Sequence, residues 1–587
     1  MSVICLSGIT FAAGFVDAQD ATSSDSGSLA PAKNPEITAA ANIEEQRATE
    51  LRDQALQVIP PDRHYRHLLA DVVTESYQGK GFRSIWDPAG IAPSLYRDLS
   101  KALNSHGLPE LMALDPEVLI KGITGDTVDK RDLAQTIAIL DAGMMIRLGW
   151  VPTENIWSEW NKGDTPGIDD RSTDQITADL VVAAAVQPFE LNRVIDALGP
   201  KNWIYRELRK AYPEAKQAIL KYSGLPNIPD PATAGVGRPG EAYPYAAAIA
   251  AHLADKGYLE LPAEQISGLS QMTPELTAAL TAFQKDYGLD ADGIFGPGSW
   301  RYLNTNAASQ FRSIIINMHR ARLLPSDFGD RYLLVNLPSA ELFGFEDNDF
   351  HTATMRVVHG QASENTHHTP VFRDVMKEVV FAPYWNVPKS IAVKEILPKA
   401  QGDWGYLSRK RYEIVTNFNP YNKDSHRLSP ENLELVAQGR LFLRQLPGPS
   451  NSLGRIKFLF PNTNNIYMHD TPSKSLFARS NRDYSHGCIR VSRPEELGKW
   501  VLESQGWSGE QVKEAMFADD RKSQAIEKEL NVYITYFTTF PRPVFGGKIV
   551  LAPARDVYEL DAKDSTTLSE VLPWVEPVAP TIPSGGQ

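Results

Sequence analysis

Two strings decide how this chain is read: Tyr467-Met468-His469-Asp470-Thr471-Pro472 and Ser485-His486-Gly487-Cys488-Ile489-Arg490. Cys488 is one of only two cysteines, the other being Cys5. A disulfide scaffold is therefore excluded, and the thiol has to be either buried or reactive. A thiol attacks carbonyl carbon as its thiolate, so it needs a base or a positive field nearby. Two histidines flank it. His486, two residues away in extended chain, shares a side with Cys488, whereas His469 ends a separate strand and approaches across a sheet. Either can serve as the base. Gly487 has no side chain, so a substrate carbonyl can approach the N–H groups around Cys488 and form an oxyanion site. Arg490 suits a substrate carboxylate or a buried structural pairing. The unit reads as acyl transfer.

Working outward, strand-like alternation recurs at 332–337, 354–358, 456–460, 466–469 and 532–537, which predicts a mostly β domain over 331–561. Within it, 371–446 reads as a long lid-like insertion carrying Pro383-Tyr384-Trp385-Asn386-Val387-Pro388 and Trp404-Gly405-Tyr406-Leu407. A connecting helix is expected at 306–330. Before it, 236–305 forms a small unit in which Leu276, Leu280 and Phe283 share one helix face. Gly288 stops that helix and Asp292-Gly293 makes a tight turn. Apolar residues at helical spacing predict a helical scaffold domain over 61–235. Residues 19–60 read as a flexible tether with a helix-like patch near 43–58, and 562–587 as a disordered tail. The fold class is multidomain α+β.

The apolar run Val3 to Val16, followed by Val16-Asp17-Ala18, fits an exported chain with a signal peptide over 1–18, although no Lys or Arg precedes the run. With 587 residues, 42% hydrophobic composition and a net charge of -13, the chain is an ordinary globular one with no basic field for nucleic acid. Neither Ser-x-x-Lys nor Lys-Thr-Gly occurs, which excludes a serine D,D-transpeptidase. The pair His367-His368 lacks the companions of a zinc site and reads as a solvated turn, so no metal and no cofactor is expected.

Together the His-Asp-Thr-Pro and Ser-His-Gly-Cys-Ile-Arg strings resemble the L,D-transpeptidase catalytic domain of the YkuD type. Arg444-Gln445-Leu446-Pro447-Gly448-Pro449, Asn451-Ser452-Leu453-Gly454 and Trp385-Asn386-Val387-Pro388 look like its larger Gram-negative periplasmic members. The 236–305 unit, with Phe283-Gln284, Gly288 and Asp292-Gly293, resembles the three-helix peptidoglycan-binding module. The resemblance implies Cys488 as nucleophile, His469 as base, the backbone carbonyl of Asp470 as its orienting partner, and His486 and Gly487 around the oxyanion. Tyr467, Ser485, Arg490, Trp385 and Asn386 are the substrate-binding candidates. It further implies a thioester at position three of a tetrapeptide stem, release of D-alanine, and a 3→3 diaminopimelate cross-link. Hydrolysis, attachment or release of a protein at the wall, and wall binding without catalysis are the alternatives. Peptidoglycan stems, carbapenem-type β-lactams and other cell-wall synthesis proteins are the implied partners, in the periplasm.

Overall fold

The computed structural model describes residues 35–86, 95–108, 113–151, 156–157, 199–221, 225–304, 307–346, 349–363, 367–421, 424–479, 481–544 and 549–569. The expected signal peptide, and the tail from residue 570 on, lie outside these residues.

The N-terminal part is helical, as its periodicity predicts, with helices Pro35–Val58, Arg66–Gln78, Leu95–Ser105, Pro116–Gly122 and Lys130–Leu148. The last of these is buried on all sides, with Leu133, Ile137 and Leu140 fully enclosed among Leu69, Val73 and Leu99. The tether ends earlier than expected. Helix Pro35–Val58 buries Leu51 and Ala55 in this same core, so its second half is part of the domain. The helix-like patch near 43–58 was the visible sign of this.

Two further boundaries also move. Helix Trp203–Lys221, assigned to the scaffold, packs Ile204, Tyr205 and Leu208 into the main core beside Ile314, Ile315 and Met318 of helix Ala307–Ala321. The expected connector is thus a core element. Arg322, just beyond it, ties the parts together by donating to the carbonyls of Ile146 (3.1 Å) and His106 (2.7 Å). At the C-terminus, 560–569 is helical rather than disordered, because buried Arg320 pairs with both Asp561 and Asp564, each at 2.7 Å. A buried guanidinium without those carboxylates would be strongly unfavourable.

The small module has its helices at Ala246–Asp255, Pro274–Asp286 and Pro297–Leu303, with the short Ala263–Ser267 between. Thr273 caps the second of them by accepting from the Leu276 N–H at 3.2 Å. Phe283 is fully buried. Gln284 accepts from Gly293 N–H (2.9 Å) and donates to Asp292 (3.1 Å), Ile294 O (3.0 Å) and Ser299 (3.0 Å). Gly288 and Gly293 both take φ +69, which any other residue adopts at a cost. The five residues singled out for peptidoglycan binding, Phe283, Gln284, Gly288, Asp292 and Gly293, are thus engaged in building the module rather than presented by it. Their side chains and turns are the signature because they are the fold.

The β domain contains β1 (Arg331–Asn336), β2 (Glu341–Glu346), β3 (Asp349–Gly360), β4 (Phe372–Val375), β5 (Glu378–Phe381), β6 (Trp385–Asn386), β7 (Tyr412–Val415) and β8 (Phe442–Gln445). It continues with β9 (Ile456–Leu459), β10 (Met468–His469), β11 (Asp483–Ser485), β12 (Ile489–Val491), β13 (Lys522–Ala525), β14 (Asn531–Thr535), β15 (Thr539–Pro543) and β16 (Ile549–Pro553). The main sheet runs β13-β5-β9-β10-β12-β3-β2-β1-β14-β4, with β11 beside β3. β4 and β5 are consecutive in sequence, yet β4 ends that path and β5 is the next-to-last strand at its other side, inside β13. Only Met376 and Lys377 separate them, so the sheet curls until its two sides meet. Consequently the insertion begins after β5, and 371–381, expected in the lid, belongs to the sheet. The lid proper has its own three-stranded sheet, β6-β8-β7, and its own core around Leu407, Ile414 and Leu443. It is a small folded unit rather than a bare loop.

Candidate active site

β10 lies in the sheet between β9 and β12, and the register decides what meets there. Met468 pairs with Ile489 and His469 with Arg490 in parallel, while His469 pairs with Lys457 across antiparallel β9. One step back along the parallel ladder, Ile489 N–H donates to Tyr467 O at 3.0 Å, which sets Cys488 beside Tyr467. Residues paired across a sheet point to one face and alternate along each strand. Tyr467, His469, Cys488, Arg490 and Lys457 therefore share a face. Lys457 is the member that sequence reading missed. Its ammonium sits 3.7 Å from the centroid of the Tyr467 ring, and the thiol donates to the Asn465 carbonyl at 3.8 Å.

His469 is buried, and its Nδ1 lies 2.5 Å from the carbonyl oxygen of Asp470. That contact places a proton on Nδ1 and leaves Nε2 as the basic nitrogen. The Asp470 carboxylate anchors the carbonyl's own peptide. It accepts from Arg455 N–H (2.8 Å), Thr471 N–H (2.7 Å) and the Lys474 ammonium (2.5 Å). Gly454, at φ +64, makes room for it, since a Cβ there would fall 2.3 Å from the carboxylate. Burial, then the charge of Arg490, with a smaller push from Lys457, holds the His469 imidazole down to about 3, so it is neutral near pH 7. Cys488 is half-buried, and desolvation raises its thiol. The Tyr467 backbone, Lys457, the Tyr467 hydroxyl and Arg490 pull it back down. Lys457 itself is lowered to about 8 by burial, with Cys488 opposing. The resting pair is a neutral thiol and a neutral imidazole beside two cations.

Other expected residues have different places. Ser485, proposed against substrate, is buried and clamps the nucleophile's turn: its hydroxyl donates to Cys488 O (2.6 Å) and accepts from Gly487 N–H (3.1 Å). The Gly487 N–H is thereby engaged, so this residue serves the turn, with φ +115, rather than the oxyanion as a donor. Thr369, unflagged by the sequence, donates to Gly487 O at 2.6 Å and accepts from Gly360 N–H at 2.9 Å. His486 meets the lid. Its Nε2 sits 2.6 Å from Glu395 of the lid, in the π-helix Ala392–Ile396, with the His367 ring 4.5 Å away. His367 and His368 are thus not a solvated turn: both are half-buried, and His368 stacks on Tyr558 at 4.0 Å. Trp385 and Asn386 form β6 inside the lid, where Trp385 packs near Tyr412. The Arg490 Nε is buried without a hydrogen-bond partner, with Cys488 and Glu395 as its electrostatic neighbours. Among the described residues no cluster of His, Cys, Asp or Glu suits a metal ion.

This geometry has a counterpart among known proteins. Residues 330–513 match the family model described as the L,D-transpeptidase catalytic domain. The cysteine turn, its histidine strand and strands β1 to β12 fall inside that match. Over residues 330–513 the chain is similar to L,D-transpeptidase catalytic domains. Residues 247–303 match the model "Putative peptidoglycan binding domain", as the resemblance implied. A Haemophilus influenzae protein named "Putative L,D-transpeptidase" is 30% identical over 253 residues, which is 43% of this chain and 48% of that one. The chain thus spans about half the length of this curated relative. A solved L,D-transpeptidase from Xylanimonas cellulosilytica is similar at 15% identity over 53% of this chain and 100% of that one, with a TM-score of 0.17, too low to bear on the argument. Within the matched residues, Tyr467, His469, Cys488 and Arg490 share one sheet face with Lys457.

Proposed function

We propose that the protein is a cysteine-dependent peptidoglycan L,D-transpeptidase that forms 3→3 diaminopimelate cross-links in the periplasm. One observation carries the reading: a half-buried lone thiol shares a sheet face with an imidazole whose Nδ1 is pinned to a backbone carbonyl. Pinning Nδ1 fixes the tautomer and leaves Nε2 as the nitrogen that can take a proton. The similarity of 330–513 to that family and the neighbouring peptidoglycan-binding match support the substrate class.

In the first step the Cys488 sulfur attacks the carbonyl carbon of the third stem residue, and His469 Nε2 takes the thiol proton. The carbon–nitrogen bond to the terminal residue then breaks. D-Alanine leaves with the proton from His469, and a thioester remains. The side-chain amine of diaminopimelate on a second stem attacks that thioester, His469 receives the amine proton, and the Cys488 thiol is restored. Because the imidazole is a weak base here, the proton moves as the S–C bond forms, and Lys457 and Arg490 stabilise the negative charge developing on sulfur. Water as acceptor would give an L,D-carboxypeptidase instead. Disaccharide-tetrapeptide containing diaminopimelate tests the reading: the wild-type protein yields a dimer lacking one D-alanine, and Cys488→Ala yields none.

A further inference from the structure

Away from Cys488, the module and the catalytic domain together line an open cleft. Five arginines line it: Arg301 from the module, and Arg356, Arg479, Arg482 and Arg555 from the catalytic domain. Two contacts close its flank. Arg356 pairs with Asp290 at 2.6 Å, and Arg542 bonds Glu341 at 2.9 Å and the carbonyl of Asp286. With those pairs set aside, Arg479, Arg482 and Arg555 remain to face the cleft, and Asp483 is the one further carboxylate among the lining residues. His359, on the cleft wall, adds nothing to the acidic side; burial keeps it neutral, down to about 4.

A chain of net charge -13 gathers these like charges at a domain boundary. Desolvation and the nearby Arg555 both lower Arg301, so the arrangement is unfavourable as it stands. Arg482 points to what would relieve it. The residue is 8% exposed, and its Nη groups donate to the carbonyls of Arg479 (2.9 Å) and Ser339 (2.8 Å). Its Nε is buried with no hydrogen-bond partner. A planar guanidinium with an unused N–H is complementary to a carboxylate.

The cleft is also within reach of the chemistry. Asp483 on its wall opens β11, and five residues of chain separate it from Cys488, a reach of at most roughly 17 Å. We propose that the cleft between the module and the catalytic domain is a subsite for a carboxylate of the peptidoglycan stem peptide, held by Arg479, Arg482 and Arg555. This rests on the peptidoglycan reading above. It gives the module a role in presenting the strand even though its signature residues are engaged internally.

Full-length protein carrying Cys488→Ala, sedimented with purified sacculi, provides the test. Arg479→Gln/Arg555→Gln, which leaves the structural bonds of Arg482 intact, is expected to bind about tenfold more weakly, the effect of losing charge-assisted contacts. Sacculi whose carboxylates have been amidated are expected to bind the parent about as weakly. Arg479→Gln alone, an exposed side chain, keeps the test readable if the double variant unfolds; it is expected to weaken binding about threefold. Equal binding by parent and variants, tight binding of amidated sacculi, or no sedimentation of the parent would each overturn the subsite. Turnover of soluble tetrapeptide by the Cys488 protein is scored separately. Product formed alongside charge-independent binding leaves the transpeptidase reading standing and removes the subsite; charge-dependent binding without product does the reverse.

Discussion

Replacing Lys457 by Met separates stability from catalysis in a way few other accounts would. Burial lowers this ammonium from an ordinary 10.5 to about 8, a penalty on the charged form of roughly 3 kcal/mol. Between those two pH values the unfolded chain binds the proton and the native protein does not, so native stability rises with pH across that window. Below pH 8 the penalty is fully present, and above about 10.5 it is gone. The side chain is half-buried rather than sealed, so solvent screening reduces the recoverable amount to about 1–3 kcal/mol. Lys457→Met keeps the chain length and removes the charge. At pH 7 it is expected to raise the unfolding midpoint of the catalytic domain by roughly 3–10 °C, and the gain shrinks as pH approaches 10.5. Catalysis moves the other way. Without the cation that opposes desolvation of Cys488, the thiolate is harder to form, and acylation slows by about one to two orders of magnitude. Differential scanning calorimetry across pH 6 to 10, with single-turnover acylation followed by intact mass, measures both. A variant that is less stable at pH 7, or that acylates at the wild-type rate, would refute this role for Lys457.

Further expectations follow from the same neighbourhood. Gly454→Ala forces a Cβ into the Asp470 carboxylate and demands φ +64 of an alanine, so a loss of about 2–4 kcal/mol is expected together with slow acylation, read by unfolding and by adduct formation. A stable, fully active Gly454→Ala protein would show that Asp470 does not position His469. Glu395→Gln removes the charge that ties the lid to His486 at 2.6 Å. Both side chains are about a third exposed, so the midpoint should hold within about 2 °C while KM for the donor rises and kcat stays within about twofold; an unchanged KM would detach the lid from donor binding. Carbapenem-type β-lactams are expected to add covalently to Cys488, and intact mass showing the same adduct on Cys488→Ala would contradict that.

How much of this was legible in the sequence depends on range. The Ser-His-Gly-Cys turn, the histidine strand and the module's helix stop are local patterns, and each formed where it was read. Lys457 was hidden because Ile456-Lys457-Phe458 reads as plain alternation. Nothing in that string says that its outward face meets Tyr467 across β10, and only the register shows it. Glu395 and Thr369 were hidden for a similar reason: each reaches the cysteine turn from a distant segment with no motif of its own. His486 illustrates the converse, since its place beside Cys488 in sequence gives no hint of the lid carboxylate with which it pairs. The strands β4 and β5 were mistaken for lid because four-residue runs split between opposite sides of a curled sheet carry almost no local signal. The tail's helix likewise depends on Arg320, more than two hundred residues away.

The central claim is that one thiol performs acyl transfer between two stems. Purified protein and Cys488→Ala, incubated side by side with diaminopimelate-containing disaccharide-tetrapeptide and resolved by chromatography with mass spectrometry, test it directly. The account predicts a cross-linked dimer lacking one D-alanine from the wild-type protein alone, with the thioester on Cys488 trapped at early times. Dimer from both proteins would contradict it, as would an acyl adduct on any residue other than Cys488.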